Sequence, residues 1–182
     1  MPVDESGLAR QRTLNIGGVL LGLGLGGFFD GIVLHQILQW HHMVSSVADY
    51  PVTTVDGLEA NTLGDGLFHA ATYLFTGVGL FLLWRGLRYP SGPWSTKLLV
   101  GLLLIGWGTF NLVEGVIDHQ ILGVHHVNQT APRSQWVWWD LVFLVWGAAM
   151  LVGGWLLARS GERQSNPSAN RMTKSGARIS RY

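Results

Sequence analysis

The chain has 182 residues, 48% apolar and 13% charged, with 25 Gly, nine Trp and a formal net charge of +1. That balance belongs to a membrane protein rather than a water-soluble domain. Cys is absent, which excludes disulfides, thiolate metal sites, iron–sulfur clusters and Cys nucleophiles; imidazole and carboxylate remain as the strong metal ligands.

Residues 1–14 carry Arg10 and Arg12 and read as a cytoplasmic segment ahead of the first apolar run, 15–40. This run is too long for the core of a cleavable signal peptide and lacks a small-residue cleavage site, so it is expected to stay in the protein as a transmembrane helix. Its Gly22-Leu23-Gly24-Leu25-Gly26-Gly27 stretch follows no strand and lies inside the span. Close helix packing accounts for it better than a nucleotide-binding loop does. The run ends in Asp30-Gly31-Ile32-Val33-Leu34-His35-Gln36-Ile37-Leu38-Gln39-Trp40-His41-His42.

A connection at 41–63 leads to the second span, 64–87, which opens with Asp65 and His69. Four residues apart on a helix, these two share a face and are expected to converge on one ion. Arg85, Arg88 and Lys97 flank the next connection, and a third span follows at 96–122. It ends in a second copy of the motif, 84 positions after the first: Glu114-Gly115-Val116-Ile117-Asp118-His119-Gln120-Ile121-Leu122-Gly123-Val124-His125-His126. Six of the seven histidines lie in the two copies. The fourth span, 136–158, again starts with an acidic residue, Asp140, but has Leu144 where the second span has His69. Residues 161–182 are rich in Ser, Asn, Arg and Gly and read as a disordered, basic cytoplasmic tail.

The pattern predicts an all-α, four-transmembrane-helix bundle built from two parallel helical-hairpin repeats, at about 15–87 and 96–158, within a membrane domain at 15–160. Lys and Arg gather at both termini and in the middle connection, which places those segments in the cytoplasm and 41–63 and 123–135 outside. Trp40, Trp136, Trp138 and Trp139 fit an outer interfacial belt, and Trp84, Trp94 and Trp155 an inner one. At about 1.5 Å rise per residue, Asp30 and Glu114 lie roughly 12–15 Å below the outer ends of their helices. A carboxylate at bilayer depth costs about 2.5–3.5 kcal/mol, so both need a proton, a partner or a metal. On a continuous α-helix, His35 aligns with His42 and Asp30 with His41, and the second copy repeats both alignments.

Three functions follow. The first is an integral membrane metal-binding protein holding one or two ions of Zn, Fe or Cu. The metal-ligand candidates are His35, His41, His42, His69, His119, His125, His126, Asp30, Glu114 and Asp65. Such a site serves either a metal-dependent membrane enzyme, with Asp65 or Asp140 as candidate general base, or a metal-handling factor. The carboxylates can instead orient the imidazoles. The second is a b-type haem electron-transfer protein with His35 and His119 as axial ligands. The third is a non-enzymatic structural or proton-handling polar network. The inner halves of the spans have almost no ionisable residues, which favours a site over a channel. The bilayer is the expected partner, with another membrane protein or a second copy of the chain as further possibilities, and nothing supports nucleic-acid binding.

The run from Gly26-Gly27-Phe28-Phe29-Asp30 through His41-His42, its second copy, and Gly64-Asp65-Gly66-Leu67-Phe68-His69 together resemble the bacterial predicted membrane proteins of the DUF2243 family. The resemblance covers roughly 17–157 and implies a multi-span inner-membrane protein. It brings no substrate with it.

Overall fold

The structure is a computed structural model in which residues 5–88 and 94–165 are described. Four long helices cross it: α1 (Glu5–Phe29), α2 (Val55–Leu87), α3 (Thr96–Glu114) and α4 (Trp136–Ser165). All four are long and apolar enough to span a membrane. Among the described residues there is no strand.

The helices exceed the apolar runs because hydropathy ends where polar residues begin, whereas hydrogen bonding does not. Residues 5–14 belong to α1. Thr54 caps α2 by accepting from Gly57 N at 3.2 Å, so the helix starts at Val55, nine residues before the apolar run. The first five residues of the expected tail, 161–165, complete α4; the remainder of that expectation, 166–182, lies outside the described residues.

The helices pack in the order α2, α1, α3, α4. Main-chain packing joins α1 to α2, α1 to α3 and α3 to α4; among the described residues it joins neither α1 to α4 nor α2 to α3 or α4, although the rings of Phe68 on α2 and Phe110 on α3 meet at 5.9 Å. The bundle is therefore open, with α1 and α3 as its central pair. Glycine makes the central contact possible: a Cβ on Gly22 would lie 2.2 Å from Leu103 O, and one on Gly106 would lie 2.1 Å from Val19 O. Both pairs lie 84 residues apart, Gly22 with Gly106 and Val19 with Leu103. The Gly-rich faces of the first and third spans thus meet within one chain.

Each motif departs from the α-helix. Asp30–Ile37 and Gly115–Ile121 are π-helices. Each is closed by a bond reaching back six residues, Trp40 N to Leu34 O at 2.9 Å and Val124 N to Asp118 O at 3.0 Å. The residue before each closing amide has positive φ, 50° at Gln39 and 58° at Gly123, as a left-handed helix terminus requires. His41, His42, His125 and His126 therefore lie beyond the helix ends, and the continuous helical rows expected for them do not form.

Candidate metal centre

A π-helix bonds residue i to i+5, so residues five apart stand nearly over one another. On an α-helix of 3.6 residues per turn they would diverge by about 140°. The π-turn thus brings Asp30 to His35, with Oδ2 and Nε2 3.0 Å apart. Beyond the helix end the chain doubles back, leaving His41 Nε2 3.9 Å from Asp30 Oδ2. In the second copy His125 Nε2 approaches Glu114 Oε1 to 3.6 Å. Two of the pairs expected from helical phase, Asp30 with His41 and Glu114 with His125, do approach, but through a reversal of the chain beyond the helix end.

Four imidazoles form a row. Ring centroids are 4.3 Å apart for His35 and His41, 4.6 Å for His41 and His125, and 4.8 Å for His125 and His119. All four are buried, as are Asp30 and Glu114. His41 Nδ1–H donates to Val127 O at 2.8 Å, and His125 Nδ1–H to Met43 O at 3.0 Å. Each motif's loop thus holds the other's histidine. Burial keeps the His41 ring neutral by driving its pKa well below the usual histidine value. It also brings His125 down to about 4, with the neighbouring His119 ring acting in the same direction.

Carboxylates fix the remaining rings. Asp65 accepts from His35 Nδ1 at 2.8 Å, His42 Nδ1 at 2.7 Å and Met43 N at 2.9 Å. Asp140 accepts from His126 Nδ1 at 2.7 Å, Val127 N at 3.0 Å and Gln120 Nε2 at 3.2 Å, while His119 Nδ1 stands 3.6 Å away. With three donors each, these carboxylates are engaged in holding histidines.

The row presents an excess of acceptors. With Nδ1–H donated outward, His41 and His125 are left with bare Nε2 lone pairs, and their Nε2 atoms, like that of His35, are buried without a hydrogen-bond partner. Asp30 Oδ2 and Glu114 Oε2 are equally unpartnered, and the 3.0 Å approach of Asp30 to His35 has no hydrogen-bond geometry. One ligand atom from each of His35, His41, Glu114 and His125 lies within 4.8 Å of the other three. Buried lone pairs aimed at one another are costly unless a cation lies among them.

Other sequence candidates fall outside this group. His42 and His126 are half-buried and hold Asp65 and Asp140. Asp65 and His69 do not converge, because His69 Nδ1–H donates at 2.7 Å to the Asp65 main-chain carbonyl one turn earlier. The His69 Nε2 instead faces Gly31, where an added Cβ would lie 2.6 Å away. Its counterpart Leu144 packs the same way on Gly115. His119 has both ring nitrogens buried and unpartnered, yet it lies at the far end of the row from His35. His41 and His125 stand between those two, so the rings expected to face each other as haem ligands do not.

Sequence reasoning missed Asn61, a fully buried residue whose Oδ1 accepts from Val44 N at 3.0 Å and whose Nδ2 donates to Tyr50 O at 3.0 Å, bracing the first motif's loop. A lone Asn in a polar stretch gives no signal of that role. It also missed Asn111, buried on α3 without a side-chain hydrogen bond among the described residues.

Fold and site together define a polytopic α-helical membrane protein with a buried polyhistidine and carboxylate cluster at one end. The chain belongs to the DUF2243 predicted membrane protein family, which it matches over residues 17–161. Searches of curated proteins and of solved structures found no match.

Proposed function

We propose that this is a membrane metal-binding protein whose ion is held by His35, His41, His125 and Glu114, with Asp30 alongside. The observation that carries this reading is the set of convergent, buried and unpartnered acceptor atoms. Protonating one carboxylate would reconcile Asp30 with Glu114 but would leave the imidazole lone pairs of His41 and His125 unmet. A divalent cation meets all of them. Three imidazoles and a carboxylate suit Zn or non-haem Fe better than Cu(I), which prefers sulfur. Asp65, and the carbonyls of Val127 and Met43, supply the outer hydrogen bonds that fix ligand tautomers. When bound, the ion would supply Lewis acidity toward water or a substrate oxygen.

Haem fits less well. A macrocycle between His35 and His119 would have to displace His41 and His125, and Phe68 already stacks on His35 at 5.7 Å and 11°. We further read the histidine end as the non-cytoplasmic face of a bacterial inner membrane, because Lys and Arg concentrate at the opposite end.

The test is metal content per chain in protein purified without chelators, compared with the His35→Gln/His125→Gln variant. Near-stoichiometric Zn or Fe, lost in the folded variant, is expected. No metal after reconstitution, or an unchanged content in the variant, overturns the reading.

A further inference from the structure

Because main-chain packing does not join α1 to α4, a cleft of about 290 Å³ opens between them with α3 as its back wall. Asp30 and Asn111 are its polar groups, both buried, and Trp40, Trp107, Trp139 and Trp146 contribute four indoles to its lining. Trp40 and Trp139 pack at 5.1 Å between ring centroids. At the rim, Val142 and Trp146 are 62% and 59% exposed on a helix that would face lipid. The opening therefore leads sideways into the bilayer rather than into water.

The two motif copies isolate what is special here. Offsets of 84 on the first and third helices, and of 75 on the second and fourth, place Val124, Leu23, Gly64 and Ala71 opposite the four tryptophans and Gly27 opposite Asn111. None of the cleft's indoles, nor its amide, recurs. At Gly27 the space is already filled, since an added Cβ would lie 2.3 Å from Thr72 Cγ2. Interfacial anchoring accounts for Trp40 and Trp139 but not for Trp107 and Trp146, which sit within the spans.

We propose that this cleft binds a membrane-dissolved aromatic alcohol, a hydroxylated ring on a hydrocarbon tail, with its oxygen at Asp30 and Asn111 and its tail extending into lipid. Indole faces suit a flat ring. A carboxylate that accepts and an amide that donates together match a hydroxyl, which does both. The volume is near the lower end of ligand pockets, roughly 300 Å³, so one ring fits while the tail remains outside. Asp30 belongs to the ion's surroundings in the reading above, and the proposal rests on that reading only in placing the ligand's oxygen beside the ion.

The experiment uses the full chain in lipid nanodiscs, with and without added Zn, and follows quenching of tryptophan emission by ring-brominated 4-dodecylphenol. Brominated dodecylbenzene, lacking the hydroxyl, and brominated dodecanol, lacking the ring, are the comparisons. Saturable quenching by the phenol is expected, about tenfold tighter than by either comparison and about tenfold weaker in Asn111→Leu, the size of one lost hydrogen bond. Trp146→Ala should weaken it and Trp146→Phe should restore it; because Trp146 is largely exposed, this pair decides the matter if Asn111→Leu fails to fold. Equal, unsaturable quenching by all three probes marks a groove for ordinary lipid tails and overturns the proposal, as does phenol binding indifferent to the position 146 variants. Metal content is measured on the same samples, so a protein that binds phenol without metal, or metal without phenol, separates failure of one reading from failure of the other.

Discussion

The imidazoles of His41 and His125 lie face to face, 4.6 Å apart and within 9° of parallel, each anchored through Nδ1–H to a carbonyl in the other motif's loop. Neither ring is positioned by its own segment alone. The centre therefore exists only when the two copies are docked, and the α1–α3 contact that docks them becomes part of the site.

From this follows the first prediction. Gly106→Ala places a methyl 2.1 Å from the Val19 carbonyl oxygen, a main-chain atom that cannot turn aside. Overpacking of this kind costs about 1–3 kcal/mol. The variant should melt at lower temperature in detergent and lose metal in parallel, although no ligand is altered. A variant with lower melting temperature and full metal content would show that the centre tolerates a shifted α1–α3 contact.

Asp65 carries a second prediction. Asp65→Asn keeps the shape but removes the charge that accepts from His35 and His42 and forces one of the three bonds at that side chain to be lost or reversed. Outer-sphere changes of this type lower metal affinity by about 10–100-fold. Competition against a chromophoric chelator measures the change. If Asp65 instead acted as a proton-transfer base only, affinity would stay the same.

The four spans were legible because crossing a bilayer demands length and apolarity together, and composition records both. The doubled motif was legible in residues such as the paired His41-His42 and His125-His126. The π-turns were not, because an i→i+5 ladder leaves no compositional mark within an apolar helix. Their consequence, Asp30 beneath His35, had no expectation behind it, and the predicted convergence of Asp65 with His69 failed because the His69 ring found a main-chain carbonyl first. The start of α2 at Val55 was hidden by Asp56, Glu59 and Asn61, polar residues that lower hydropathy without hindering a helix. Open packing was invisible as well, since a lipid-facing apolar side and a partner-facing one read alike.

Backbone conformation supplies a third prediction. Gln39 and Gly123 occupy matching left-handed positions, but only Gly123 does so without strain. A side chain in this conformation costs about 1–2 kcal/mol. Gly123→Ala, which meets no atom within 4 Å, should destabilise by that amount through conformation alone, and Gln39→Gly should raise the melting temperature. Thermal unfolding in one detergent checks both signs.

His69 gives the last. It is the one histidine outside the two motif copies, and its Nε2 is buried without a partner, so by sequence and by burial it passes for a ligand. Its geometry says otherwise, since the ring packs on Gly31 as Leu144 packs on Gly115, and it does not share the reach of His35, His41, Glu114 and His125. His69→Leu should therefore leave the metal content unchanged. It should also remove a buried unsatisfied nitrogen, at a gain of about 1–3 kcal/mol set against the lost bond to the Asp65 carbonyl. The net change in melting temperature should be small, whereas a drop in metal per chain would place His69 on the ion and redraw the centre around α2.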